Sequence, residues 1–139
     1  MTAPLRTEFL YDKSLSHPGP VNAVAFSTNG ELFATACVGL GGAGLAQVFE
    51  MSSGKKIREL PHEGWVNWVA FSPDGRWLAT AGNDGTARIF DPVTGVERNQ
   101  LVHREAVNMV AFSPDSQWIA TASDDGTARP TRPLPRTPA

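Results

Sequence analysis

Cysteine is almost missing from this chain of 139 residues: Cys37 stands alone. No internal disulfide and no cysteine-based metal site can form, and a reducing, cytoplasmic setting is expected. Neither sign of charge dominates, with 12 Lys+Arg against 14 Asp+Glu and a formal net charge of -2. Setting aside Arg129, Arg132 and Arg136 leaves nine basic residues against fourteen acidic ones, so the body lies near -5. Such a balance provides no basic field to draw the chain onto phosphate backbones or anionic membranes, which excludes nucleic acid and membrane as partners. Long apolar runs are absent too. None approaches the roughly 20 residues of a membrane span, and Arg6, Glu8, Asp12 and Lys13 interrupt the segment where a signal peptide needs an unbroken apolar stretch.

What is there is repetition. Valines 21, 66 and 107 open the segments VNAVAFS, VNWVAFS and VNMVAFS, spaced by 45 and then 41 residues, which marks a repeat architecture. With 41% apolar residues the chain carries enough to bury a core. Within a repeat, VNWVAFS at 66–72 is followed by Pro73-Asp74-Gly75 and then WLATAG at 77–82. Proline presets φ, aspartate bonds its own backbone and glycine tolerates positive φ, so the three residues predict a tight reversal between two strands. Asn83-Asp84-Gly85 signals a second turn, TARIFD at 86–91 a third strand, and VERNQL an outer fourth strand of mixed polarity. The first two strands are nearly continuous in Val, Ala, Phe, Trp and Leu, which predicts sheets covered on both faces by their neighbours.

The repeats differ from one another. The first carries four extra residues in the glycine-rich stretch VGLGGAG at 38–44, where the second has its short turn; this is read as a floppy loop. The third departs after Arg129, with Pro130, Thr131 and Arg132 standing where Ile89, Phe90 and Asp91 stood. Proline removes ladder donors, so residues 130–139 are expected to form a disordered, proline-rich tail and the last sheet to stay incomplete. The Pro135-Arg136-Thr137-Pro138 spacing is too short a segment to make a groove-binding ligand the favoured reading. At the other end, Phe9 to Leu15 precedes His17 as Lys55 to Leu60 precedes His62, so it is expected to be the outer strand of a further sheet.

Aligned repeats superpose His62 on His103, Thr80 on Thr121 and Asp84 on Asp125, with 22 residues from His to Asp in both. A loop imidazole, a strand hydroxyl and a turn carboxylate can form a hydrogen-bonded chain that fixes the tautomer and pins a sheet corner. With the loop histidine, VAFSPDG followed by LATA, the turn NDGTARIFD or DDGTAR and the TG after it, the chain resembles the WD-repeat β-propeller family over about residues 9–129. The resemblance implies an all-β partial propeller of about three four-stranded antiparallel blades, an open arc or a fragment, with repeats near 17–60, 62–101 and 103–129. It further implies a structural tetrad at His62, Thr80 and Asp84 and at His103, Thr121 and Asp125, with His17 and Thr35 in the first repeat. Phe49 and Phe90 hold the family's tryptophan position, and the first repeat has no aspartate in its glycine loop.

A His, Thr and Asp set also invites a catalytic triad, but its recurrence from repeat to repeat favours a structural role. Matching histidines of successive blades lie too far apart to share an ion with bonds of about 2 Å, so no metal is expected, and no cofactor. Cys37 in an apolar strand reads as buried and inert. The glycine loop is no phosphate loop, since no Lys-Ser/Thr follows. Trp77 and Trp118 are expected to pack, whereas Trp65 lies in a loop before a strand and is the better contact residue.

Asn22, Asn67 and Asn108 share one position, which implies either a locally satisfied bulge or a ring of donors on the binding face. Trp65, Glu63, Asn67, Asn83, Arg104, Glu105, Asn108 and Asp124 together outline the expected partner-binding surface. The function expected from the resemblance is a noncatalytic protein-protein interaction scaffold, from a truncated propeller, with a protein partner. The alternative is a regulatory or sensory segment of a larger signalling enzyme. Two copies would offer about six blades, within the 4 to 8 that close a propeller, so a homodimer is one way to complete the ring.

Overall fold

The computed structural model describes residues 14–134. Three antiparallel sheets follow one another along the chain. The first contains β1 (Val21–Phe26), β2 (Leu32–Val38), β3 (Gly44–Glu50) and β4 (Lys56–His62), and the second β5 (Val66–Phe71), β6 (Leu78–Gly82), β7 (Thr86–Phe90) and β8 (Glu97–Val102). The third has β9 (Val107–Phe112), β10 (Ile119–Ser123) and β11 (Ala128–Thr131). Neighbouring strands pair in sequence order, as the turn chemistry requires. Among the described residues no helix is long and apolar enough to cross a membrane.

The turns form as their residues dictate. In the second sheet the Ser72 hydroxyl donates to Asp74 Oδ1 at 2.7 Å, the same oxygen accepts the Arg76 N–H, and Gly75 sits at φ 76°. In the third sheet Ser116 replaces that glycine and holds φ 61°, the one non-glycine residue at positive φ among the described residues. Its hydroxyl accepts the Asp74 N–H of the neighbouring sheet at 3.0 Å, so the strained position is tied across the gap.

The sheets stack face to face, and alternate strand residues serve opposite neighbours. Call the front of a sheet the face toward its predecessor and the rear the face toward its successor. Ala34, Ala36, Ala46 and Val48 on the rear of the first sheet meet Val66, Val69, Leu78 and Phe90 on the front of the second, with Phe71 packed alongside. Trp77, Ala79, Ala81, Ala87 and Ile89 on the rear of the second meet Val107, Val110 and Ile119 on the front of the third, with Phe112 alongside. Each joint sets an alanine-rich rear against a branched or aromatic front. Burying an aliphatic side chain contributes about 1.5–3 kcal/mol, so the joints supply much of the folding free energy.

Two expectations change. Pro130 and Thr131 are not tail but part of β11, paired with Ala120 and Ile119. The proline is admitted because β11 is an edge strand, where one side of the backbone needs no ladder donor. Beyond it Pro133 is buried, its carbonyl accepts the Asn99 side-chain N–H at 3.1 Å, and Leu134 packs on the second core cluster. Residues 135–139 lie outside the described residues, as does the stretch 9–13 of the expected outer strand. Trp118, expected to pack, is 45% exposed.

Candidate functional site

The histidine corners are built by the junctions between blades. In the third blade His103 Nδ1–H donates to Asp125 Oδ2 at 2.9 Å, and the Thr121 hydroxyl donates to His103 Nε2 at 2.7 Å. The Thr127 hydroxyl, the His103 ring and the Thr127 and Arg104 N–H groups hold the Asp125 carboxyl well below the ordinary carboxylate range. The ring is thus bonded to both the turn carboxylate and the strand hydroxyl.

The second blade departs from it. His62 Nδ1–H donates to the Leu60 carbonyl at 2.8 Å, and only the Thr80 hydroxyl, also at 2.8 Å from Nε2, follows the expectation. Asp84 is held elsewhere. Its Oδ1 accepts the Thr86 N–H and hydroxyl at 3.0 and 2.6 Å, and its Oδ2 accepts from Arg88 at 3.1 Å. Arg88 is stretched between Asp84 and Glu97 of β8, the latter at 3.3 Å. Burial raises the Asp84 pKa, but these donors outweigh it and the net shift is downward. Desolvation lowers the His62 pKa to about 4, so the ring is neutral at pH 7.

The first blade has no carboxylate to offer. His17 Nδ1–H donates to Leu15 O and the Thr35 hydroxyl to Nε2, both at 2.8 Å. Gln47 takes the place of Arg88, and its buried Oε1 finds no partner among the described residues. Phe49 and Phe90 substitute packing for a donor: their rings meet His17 and His62 edge-on, with centroids 6.0 and 5.8 Å apart.

Above these corners the loops join into one rim. Trp65 O accepts the Asn83 N–H at 2.7 Å, Gly85 O the His103 N–H at 2.8 Å, and Ala106 O the Asp124 N–H at 2.9 Å. Gly64 lies so close to the 83–84 backbone that a Cβ there would meet the Asp84 nitrogen at 2.9 Å. Glu63, Trp65, Asn83, Arg104, Glu105 and Asp124 are all exposed along this rim, Trp65 by 46%. Leu40, in a 3-10 turn (Leu40–Gly42) inside the glycine-rich loop, is 80% exposed at the same end of its sheet. Sequence reasoning passed over it by treating that loop as floppy; the extra residues were the signal.

Two residues expected on the partner-binding surface, Asn67 and Asn108, make hydrogen bonds within the chain. Asn22, Asn67 and Asn108 each sit at a β-bulge. Asn22 Nδ2 donates to Val66 O and Asn67 Nδ2 to Val107 O, both at 3.0 Å, so each asparagine bonds the next blade rather than its own bulge or a binding face. Asn108 turns to Asp124 Oδ1 at 2.6 Å.

The corner hydroxyls of Thr80 and Thr121 are sealed from solvent, so neither can reach a substrate. Burial pushes the Cys37 thiol up, away from the reactive thiolate. Among the described residues no group of three or more His, Cys, Asp or Glu side chains could hold a metal ion.

A protein-family profile described as "WD domain, G-beta repeat" matches residues 11–40, 54–91 and 96–129, more than half of the chain. No curated protein matches it. Each matched segment is offset from the sheets by one strand, 54–91 taking β4 of the first with β5–β7 of the second, and repeats of this kind build scaffold domains for protein interaction. With three antiparallel sheets stacked through alanine-rich joints, and with the repeat histidine at each corner, the chain belongs to the WD-repeat family.

Proposed function

We propose that the chain is a noncatalytic protein-interaction module of the cytoplasm that recognises a protein through its loop rim, with Trp65 as the anchor. The observation that carries the reading is a large apolar side chain, half exposed, on a loop whose own backbone is fixed to the neighbouring turn. A rigid aromatic ringed by polar side chains is the arrangement that concentrates binding energy at protein interfaces. Glu63, Asn83, Arg104, Glu105 and Asp124 supply both signs of charge and neutral donors around it, and Leu40 adds an apolar contact one blade away. The histidine corners act as internal braces, and a second copy of the chain is a further partner that would complete a ring.

The test uses the immobilised chain and its Trp65→Ala and Arg104→Glu variants. A protein held stoichiometrically by the wild type is expected to bind about tenfold or more weakly to Trp65→Ala, as for an interface hot spot. Equal retention by both variants would remove the rim from the reading.

A further inference from the structure

The two in-chain joints follow one rule, and the outermost faces of the arc carry the two halves of a third such joint. The rear of the last blade is alanine-rich and uncovered: Ala111, Ala120 and Ala122 are exposed, Met109 is 44% exposed, and Trp118 stands at the position where Trp77 packs in the preceding joint. The front of the first blade is bulky and uncovered, with Val24 56% and Phe26 61% exposed at the positions of Val69 and Phe71. Beside Phe26 a cavity of about 220 Å³ is lined by Leu15, Phe33, Phe49 and Met51. In the second joint Trp77 shares one cluster with Ile119, with Phe112 packed against it, and the counterparts of these two in the first blade are Phe33 and Phe26.

We propose that the rear of the last blade docks on the front of the first blade of a second copy of this chain, head to tail, so that two chains close a ring of six sheets. The proposal deepens the two-copy part of the reading above and rests on it. Asn108 leaves Asp124 and donates to the Val21 carbonyl of the second copy, as Asn22 and Asn67 donate to Val66 and Val107. Trp118 enters the cavity beside Phe26. What selects a second copy as the occupant is continuity with two joints that already exist: small rear, bulky front, one asparagine bond across the gap. The new joint resembles the first in-chain joint in one further respect, because Gly30, like Gly75, holds the place of Ser116 and offers no hydroxyl across the gap. Unlike the in-chain joints it joins two molecules, so it is separable by dilution. The contact is heterologous, which in two copies closes rather than propagates when the rotation fits.

Sedimentation velocity of the 139-residue chain across micromolar concentrations tests this. A mass of two chains is expected, falling to one on dilution. Val24→Arg and Trp118→Arg are each expected to sediment as single chains, folded by their circular dichroism because both positions are exposed in the single chain. Mixed together, they are expected to recover a two-chain species, since the mixture retains one intact rear and one intact front. Front-to-front association would leave Trp118→Arg dimeric and overturns the proposal, as does a wild type that stays single, grows beyond two chains, or fails to complement in the mixture. Trp65→Ala leaves the mass unchanged, so failure of the rim reading and failure of this one are told apart.

Discussion

Trp77 and Trp118 hold the same position in successive repeats, yet one is 8% exposed and the other 45%. Arg76 and Arg98 lie over the Trp77 ring at 5.1 and 5.8 Å, and Leu134 covers the same cluster. Among the described residues Trp118 has one guanidinium, Arg132 at 4.8 Å, and no sheet behind it. The corners diverge in the same way. Arg88 is held between Glu97 of the fourth strand and Asp84, so His62 loses its carboxylate. Its counterpart Arg129, in a sheet of three strands among the described residues, donates to Val102 O at 2.9 Å, and Asp125 is bonded to His103. A repeat position thus sets which groups are present, and the neighbouring strand or blade sets how they bond.

The tryptophans should separate the two blades most widely. Trp77→Ala removes a ring enclosed by a joint and is expected to cost about 3–5 kcal/mol. Trp118→Ala, measured where the chain is single, is expected to cost about 1 kcal/mol or less, because the ring keeps much of its contact with water in the folded state. Urea unfolding at pH 7 gives both values. Equal costs would mean that the rear of the last blade is as enclosed as that of the middle one, and the comparison would fail.

The same dependence on neighbours explains what could be read from the chain alone. The hairpins were legible because their turns are closed by local groups: Ser72, Asp74 and Gly75 are all within four residues of one another. The stacking was legible because strands apolar on both faces need cover. Pro130 was read as the end of the sheet because a proline lacks a donor, yet whether a donor is needed depends on which edge of the sheet the strand occupies. The fate of Asp84 turned on Glu97, across the sheet on β8. The role of Asn67 turned on the Val107 carbonyl of the next blade, 40 residues on, which no local pattern reveals.

The corners also differ in the pH window in which they act. His62 is neutral in the folded protein, its pKa lowered from 6.5 to about 4, so the unfolded chain takes up the proton first. The stability tied to the neutral ring is fully present above 6.5 and is lost as the pH falls toward 4. The loss amounts to about 3 kcal/mol. Asp125 and Asp84, lowered carboxylates, contribute above their ordinary pKa of 3.8 and lose that contribution only as the pH drops below it. Unfolding by urea from pH 7 to pH 3 should therefore show a first decline that His62→Gln abolishes and a second, more acidic one that it leaves. A single decline confined below pH 4 would show that His62 is not desolvated as described.

The smallest effect on stability gives the sharpest contrast between the corners. Removing the Arg88 guanidinium takes away a positive charge that opposes protonation of His62, and it releases Asp84 Oδ2, whose remaining partners hold only Oδ1. The freed carboxylate can then turn to Nδ1 and rebuild in the middle blade the contact that His103 makes with Asp125. Arg88→Gln is expected to change stability by about 1 kcal/mol, as one charged hydrogen bond is exchanged for another. The His62 pKa is expected to rise from about 4 in a proton NMR titration of the ring. Arg129→Gln, acting on a guanidinium that donates to the Val102 carbonyl, should leave the His103 ring resonances where they were. If His62 stays at about 4 in Arg88→Gln, then desolvation alone governs it and the capture of Asp84 by Arg88 is not what distinguishes the two corners.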